Sequence, residues 1–255
     1  MAKMGIGLQL YTLRDETKKD FRGTLRRVAE LGYEGVEFAG FGDFEPQELA
    51  EFLGELGLKS LGSHIGIDEL RNNLDNVIDF QLTIGSRYVV CPWLAKELRD
   101  TPEQVRITAA LFNEIGQKLA DHGLVFGYHN HEFEFTNRVG DVLLFDALFA
   151  QANPAFVKAE LDVCWAQHGG QDPLVYIEKY TDRLPLIHLK DLRVENGKPL
   201  TVPLGEGQMQ LQSIVEASSN AGVDWLVVEQ DEVQYDAFES VANSLRWLQK
   251  NYLKV

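Results

Sequence analysis

Four junctions of one form punctuate the chain: Leu31-Gly32, Leu56-Gly57, His122-Gly123 and Ala221-Gly222. At each, a stretch with helical spacing ends on a glycine, the residue that best tolerates the left-handed turn closing a helix. A short apolar run follows. The alternation continues from end to end: apolar runs at 6–11, 35–38, 58–64, 88–91, 124–129, 157–162, 184–189 and 225–229 predict strands. Between and after them, 20–31, 46–56, 70–84, 102–122, 141–150, a stretch from 172, 210–221 and 235–252 predict helices. Alternating strands and helices imply a parallel sheet. Eight units in 255 residues imply an α/β (β/α)8 TIM barrel. An open doubly wound sheet would want a glycine-rich phosphate loop after its first strand. Gly5-Ile6-Gly7 precedes that strand and lacks the third glycine. No linker, low-complexity tract or charge block interrupts the pattern, so one domain is expected over 1–255.

The formal net charge of -15 argues against nucleic acid, whose phosphates demand a basic face, and against an anionic membrane surface. Two cysteines, Cys91 and Cys164, are too few for a disulfide framework. Met1-Ala2-Lys3-Met4-Gly5 runs straight into an alternating stretch with no long apolar segment, so no signal peptide is expected. No run reaches the length of a membrane span. A cytoplasmic protein with reduced thiols is the expectation, with oligomeric state left open.

In such a barrel the C-terminal strand ends form the active site. The fifth strand runs into Gly127-Tyr128-His129-Asn130-His131-Glu132. Side chains alternate along a strand, so His129 and His131 point to one side, with a carboxylate just beyond. Three later strand ends also finish in ligand-type residues: Asp162, His188 and Glu229. Four nitrogen and oxygen donors on successive strands can surround one divalent cation. Mixed imidazole and carboxylate donors suit Mn, Fe, Co or Zn better than Ca or Mg. Singly, each has a structural reading: Asp162 as a helix cap, His188 as a core histidine, Glu229 as the partner of Lys190. At the other strand ends, Gln9, Glu37 and His64 are candidates to face substrate. So are Trp93 and Trp165, which can form an apolar wall for a sugar ring or serve as packing. Cys91 reads as wall. Gly205-Glu206-Gly207 reads as a tight turn able to bring backbone close to substrate.

Seven segments together carry a resemblance: Gly7-Leu8-Gln9-Leu10-Tyr11-Thr12, Gly32 to Glu37, Gly127 to Glu132, Glu160-Leu161-Asp162, His188-Leu189-Lys190-Asp191, Gly205-Glu206-Gly207 and Val228-Glu229-Gln230. Over nearly its whole length the chain resembles the sugar phosphate isomerase/epimerase family of xylose isomerase-like barrels. The resemblance implies a metal held by a strand-five carboxylate and by Asp, His and Glu from strands six to eight. Asp162, His188 and Glu229 match. Strand five departs, with His129 in the place of glutamate, a Tyr-His-x-His pattern similar to the inosose dehydratase-like branch. His129 then either ligates the cation or hydrogen-bonds substrate while Glu132 or Glu160 completes the coordination.

The chemistry expected of this rim is proton abstraction next to a carbonyl through an enediolate. Glu229, His131 and Glu132 are the candidate bases, and Lys190 the candidate to neutralise the oxygen. Returning the proton gives an isomerase or epimerase of a sugar or sugar phosphate. Expelling a β-hydroxyl gives a dehydratase of a keto-sugar or keto-inositol. A non-catalytic sugar-binding barrel and a metal-dependent endonuclease are the other classes, the latter opposed by the charge. Either enzyme reading takes a small carbohydrate as substrate and a divalent metal as cofactor.

Overall fold

Eight parallel strands close on one another in the computed structural model, which describes residues 3–195 and 197–253. They are β1 (Gly5–Gln9), β2 (Gly35–Phe38), β3 (Lys59–His64), β4 (Tyr88–Cys91), β5 (Val125–His129), β6 (Val157–Asp162), β7 (Leu186–Leu189) and β8 (Trp225–Val228). Each pairs with its sequence neighbour, and β1 pairs with β8 to complete the barrel, with Leu8 opposite Val228. Met1 and Ala2, which begin the segment read as lacking a signal peptide, lie outside the described residues, as do Asn196, Lys254 and Val255.

The helices α1 (Phe21–Leu31), α2 (Pro46–Leu56), α3 (Leu74–Thr83), α4 (Pro102–Asp121), α5 (Leu144–Gln151), α6 (Pro173–Lys179), α7 (Leu211–Asn220) and α8 (Ala237–Leu248) follow the eight strands in turn. Their ends obey local rules. Asp20 accepts from Gly23 N to open α1, and Gly32, at φ 100, closes it in the left-handed region. Thr101 and Gln104 form a reciprocal capping box at α4. Leu8, Phe126, Leu161, Ile187, Leu226 and Val228 are buried in a core shared by barrel and helices.

Three expected elements differ in extent, and a hairpin that was not expected is present. The first strand stops at Gln9, because the Gln9 Oε1 accepts from Tyr11 N at 3.0 Å and turns the chain into a 3-10 turn, Leu10–Leu13. The helix expected over 70–84 is two helices, Ile67–Asn72 and α3, broken at Asn73 where φ is -140. The helix expected from 141 begins at Leu144, because Val142–Leu143 pairs with Arg138–Val139. An antiparallel hairpin, Asp191–Glu195 with Lys198–Val202, follows β7. Among the described residues, no helix is long and apolar enough to cross a membrane.

Candidate metal and active site

Register delivers the polar side chains to one end of the barrel. His129 lies opposite Glu160, Asp162 opposite His188, and Gln9 opposite Glu37. Among the described residues two overlapping sets of donors result, each with its atoms within 4.8 Å of one another. The outer set is His129, Asp162, His188 and Glu229; the deeper set is His64, His129, Glu160 and His188.

In the outer set, His188 Nδ1 stands 2.6 Å from Glu229 Oε2, and His129 Nε2 stands 3.9 Å from Asp162 Oδ2. Asp162 uses Oδ1 to accept from Trp165 N at 2.8 Å, capping the helix Val163–His168. Both the capping role and the ligand role of Asp162 are therefore open to it at once. Its Oδ2 lies 2.9 Å from Lys190 Nζ without making a hydrogen bond. Lys190 is buried and also meets Glu229 Oε2 at 2.8 Å and Asp231 Oδ2 at 2.9 Å.

The deeper set has its own partners. Glu37 Oε2 accepts from Gln9 Nε2 and lies opposite His188 Nε2, both at 2.7 Å. Glu160 Oε2 lies 2.7 Å from His64 Nε2, 3.1 Å from His129 Nδ1 and 3.1 Å from His188 Nε2. Gln9 and Glu37, expected to face substrate, thus sit fully buried behind the histidines.

Charge separates the histidines. Burial alone would lower His64, but the Glu37 and Glu160 carboxylates outweigh it and raise it to about 10. His188 is raised well above the usual range because Glu160, Glu229 and Glu37 outweigh the same burial cost. Burial and the surrounding cations hold His129 well below it and push His131 down to about 4. Burial raises Asp162 to about 6 against the pull of Lys190, whereas Lys190 and His188 overcome burial at Glu229 and lower it. The cysteines offer no thiolate: burial pushes Cys91 up to about 12 and raises Cys164.

A cavity of about 440 Å³ opens beside both sets, lined by His64, His129, His131, Glu229 and Asp231 and walled by Tyr11, Pro92 and Trp93. Tyr11 and Trp93 are 44% and 50% exposed at its mouth. His131 stacks on Phe133 and Trp165, and its buried Nδ1 has no hydrogen-bond partner. Glu132 is not brought to this cavity: its carboxylate is 47% exposed and 3.6 Å from His168 Nε2. The Gly205-Glu206-Gly207 turn closes on Asp191 instead of on the cavity, whose carboxylate accepts from Gly205 N, Gly207 N and Met209 N. Asp231 escaped the sequence reading, although it repeats on strand eight the two-residue spacing seen at His129 and His131.

The family model for xylose isomerase-like TIM barrels matches residues 25–251. The chain belongs to the xylose isomerase-like TIM barrel family. An inosose dehydratase of Lacticaseibacillus casei is 24% identical, over 89% of this chain and 88% of its own length. A sugar phosphate isomerase/epimerase from Parabacteroides distasonis superposes with a TM-score of 0.82 at 24% identity, covering 98% of this chain and 94% of its own. The IolI protein, solved with a bound zinc atom, superposes with a TM-score of 0.77 at 15% identity, covering 98% and 99%.

The donor set fits a divalent cation. Two imidazoles and two carboxylates converge, and the buried Asp162 Oδ2 lacks a hydrogen-bond partner.

Proposed function

We propose that this chain is a metal-dependent enzyme that removes the proton next to the carbonyl of an unphosphorylated keto-sugar or keto-cyclitol and eliminates a β-hydroxyl as water. One observation carries the reading: among the described residues lining the cavity, the His131 ring is held by no carboxylate, while the other candidate base there, Glu229, is held by His188 and Lys190. One free base suits proton removal and return on a single face. Epimerisation between faces would need a second.

His129, Asp162, His188 and Glu229 are the residues that would hold the cation, which when bound supplies Lewis-acid polarisation of the substrate carbonyl. The His131 ring takes the carbon-bound proton and returns it to the departing hydroxyl. Lys190, buried beneath the lining, keeps a fixed positive charge next to Glu229 and Asp231, which face the cavity. Tyr11 and Trp93 offer apolar faces at the mouth for a ring to lie against. The residues lining the cavity include two carboxylates, Glu229 and Asp231, and no arginine or lysine, which favours a neutral substrate over a phosphorylated one. The similarity to inosose dehydratases agrees with elimination.

Isomerisation by the same base is the second reading, favoured by the superposition on the sugar phosphate isomerase/epimerase. The test incubates the metal-loaded protein in deuterated water with keto-sugars and keto-cyclitols, with and without phosphate. Loss of water is expected in the mass spectrum. A product of unchanged composition carrying one deuterium selects isomerisation. Neither loss of water nor exchange at the carbon next to the carbonyl with any of them overturns both.

A further inference from the structure

We propose that Glu37 and Glu160 are positioning residues that decide which nitrogen of His188 and of His129 faces the cation. His64 ties the two carboxylates together. The inference rests on the metal site argued under Proposed function and concerns the layer behind it.

An ionised carboxylate only accepts hydrogen bonds. Glu37 Oε2 stands 2.7 Å from His188 Nε2, and Glu160 Oε2 stands 3.1 Å from His129 Nδ1. Those two nitrogens must carry hydrogen. His188 Nδ1, 2.6 Å from Glu229 Oε2, carries hydrogen by the same rule in the metal-free chain, and a cation would take that proton's place; the nitrogens that face the other two donors are thus His188 Nδ1 and His129 Nε2. The two histidines present opposite nitrogens to one point. No single tautomer preference of imidazole can arrange that; the hydrogen bond made by the far nitrogen has to.

The rest of the layer holds the carboxylates still. His64 Nε2 lies 2.7 Å from Glu160 Oε2 and 3.3 Å from Glu37 Oε2, so one imidazole spans both. Its ring stacks on His188 with centroids 5.4 Å apart and planes 11° from parallel. Gln9 adds a further donor to Glu37. Glu37 Oε1 and Glu160 Oε1 are buried without hydrogen-bond partners. Burying half-satisfied carboxylates costs stability, so packing does not account for them. A different assignment would make the deeper donors a second cation site. The cavity is lined by His129 and Glu229 of the outer set and by His64 and His129 of the deeper one, while Glu37 and Glu160 lie outside its lining, so substrate does not reach the two carboxylates.

The experiment titrates the metal-stripped full chain with cobalt(II), following visible absorption and metal per chain, for the wild type, Glu37→Gln and Glu160→Gln. One cobalt per chain is expected in the wild type, with affinity weakened about 10–100-fold in each variant. The glutamines keep size and an acceptor oxygen, so the metal-free melting temperature should not fall. In parallel, histidine nitrogen NMR of the zinc-loaded wild type should find hydrogen on Nε2 of His188 and Nδ1 of His129. This second measurement needs no variant. Wild type that binds no cobalt overturns the metal reading itself. Wild type that binds one, with both variants unchanged, overturns only the positioning role. Two cobalts per chain, falling to one in Glu160→Gln, also overturn it and make the deeper residues ligands.

Discussion

His131 differs from the three histidines beside it in that, among the described residues, no carboxylate pairs with its ring, and that difference is measurable. His131→Ala should keep the full metal content and lose about 10²–10⁴-fold in turnover, the usual range for a general base. Asp162→Asn and His188→Ala should lose metal and turnover together, because each removes a donor that must be deprotonated to ligate. Metal per chain beside deuterium exchange separates the two patterns, and full metal with full exchange in the latter pair would place the site elsewhere. Glu134 gives a second residue-scale test. Burial raises its carboxyl from 4.5 to about 8, outweighing the bonds it accepts from the Tyr128 hydroxyl and, at 2.7 Å, from His131 N. The folded state therefore holds a proton that the unfolded chain has released, so stability falls as pH rises from about 4.5 to 8. At about 1.4 kcal/mol per pKa unit the loss is of order a few kcal/mol. Glu134→Gln keeps size and one acceptor oxygen, removes the titrating proton, and should flatten the decline in urea midpoint between pH 5 and pH 8; an equally steep decline would remove Glu134 as its source. The residues that sequence reading placed here and those it left aside share one signal. His129/His131, Glu160/Asp162, His188/Lys190 and Glu229/Asp231 are all polar pairs two apart at successive strand ends. Period two was applied to the first pair; applied to the others it places Asp231 at the rim and makes Glu160 a neighbour of Asp162 on one face. What it cannot supply is depth. Whether Glu37 meets substrate or stands behind His188 depends on strand stagger and on Gln9, neither of which one strand's pattern encodes.

At the scale of elements, the strands and most helix ends were legible because capping and glycine rules act within four residues. The breaks were not, because they depend on side chains answering one another. Asn73 interrupts an apolar pattern that reads as one helix, and Gln9 turns its own strand. The hairpin after β7 did carry a signal: Leu192 and Val194 alternate with polar residues before Asn196-Gly197, the dipeptide most typical of a two-residue hairpin turn. Asp191, at the start of that hairpin, gathers the following loop through its carboxylate while Lys190 beside it points into the site. Gly207 passes so close that an added Cβ would sit 2.2 Å from Asp191 Oδ1 and 2.7 Å from Leu192 N. Neither atom can yield cheaply, since the carboxylate is held by several backbone donors. Gly207→Ala should cost about 1–3 kcal/mol, as overpacked sites do, seen as a lower urea midpoint. The same change should reduce turnover beyond any loss of metal, by shifting Lys190. Unchanged stability would mean that the loop is not anchored on Asp191.

For the whole molecule, the net charge of -15 has an inside as well as an outside. Outside, an acidic surface releases no counterions from nucleic acid, so DNA should not be retained in a gel shift at moderate salt. Inside, Glu37, Glu160, Asp162, Glu229 and Asp231 converge on one end of the barrel with Lys190 as their buried lysine. Like charges confined there repel, and protonated His64 and His188 offset only part of the excess in the metal-free chain. A divalent cation that binds the folded barrel and not the open chain removes that strain by mass action. Once the free metal exceeds its dissociation constant, each tenfold increase should add about 1.4 kcal/mol. For a chain of this size that corresponds to about 3–6 °C in melting temperature per decade. Asp162→Asn should behave in the opposite way on both counts. Its metal-free form should melt no lower than the wild type, since one of the crowded charges is gone, and its melting temperature should respond little to added metal. Differential scanning fluorimetry of the stripped proteins across a series of manganese, cobalt and zinc concentrations reads both slopes. A wild-type melting temperature that stays flat from micromolar to millimolar metal would mean that Lys190 and the protonated histidines already complete the barrel's polar end, with no cation in its working state.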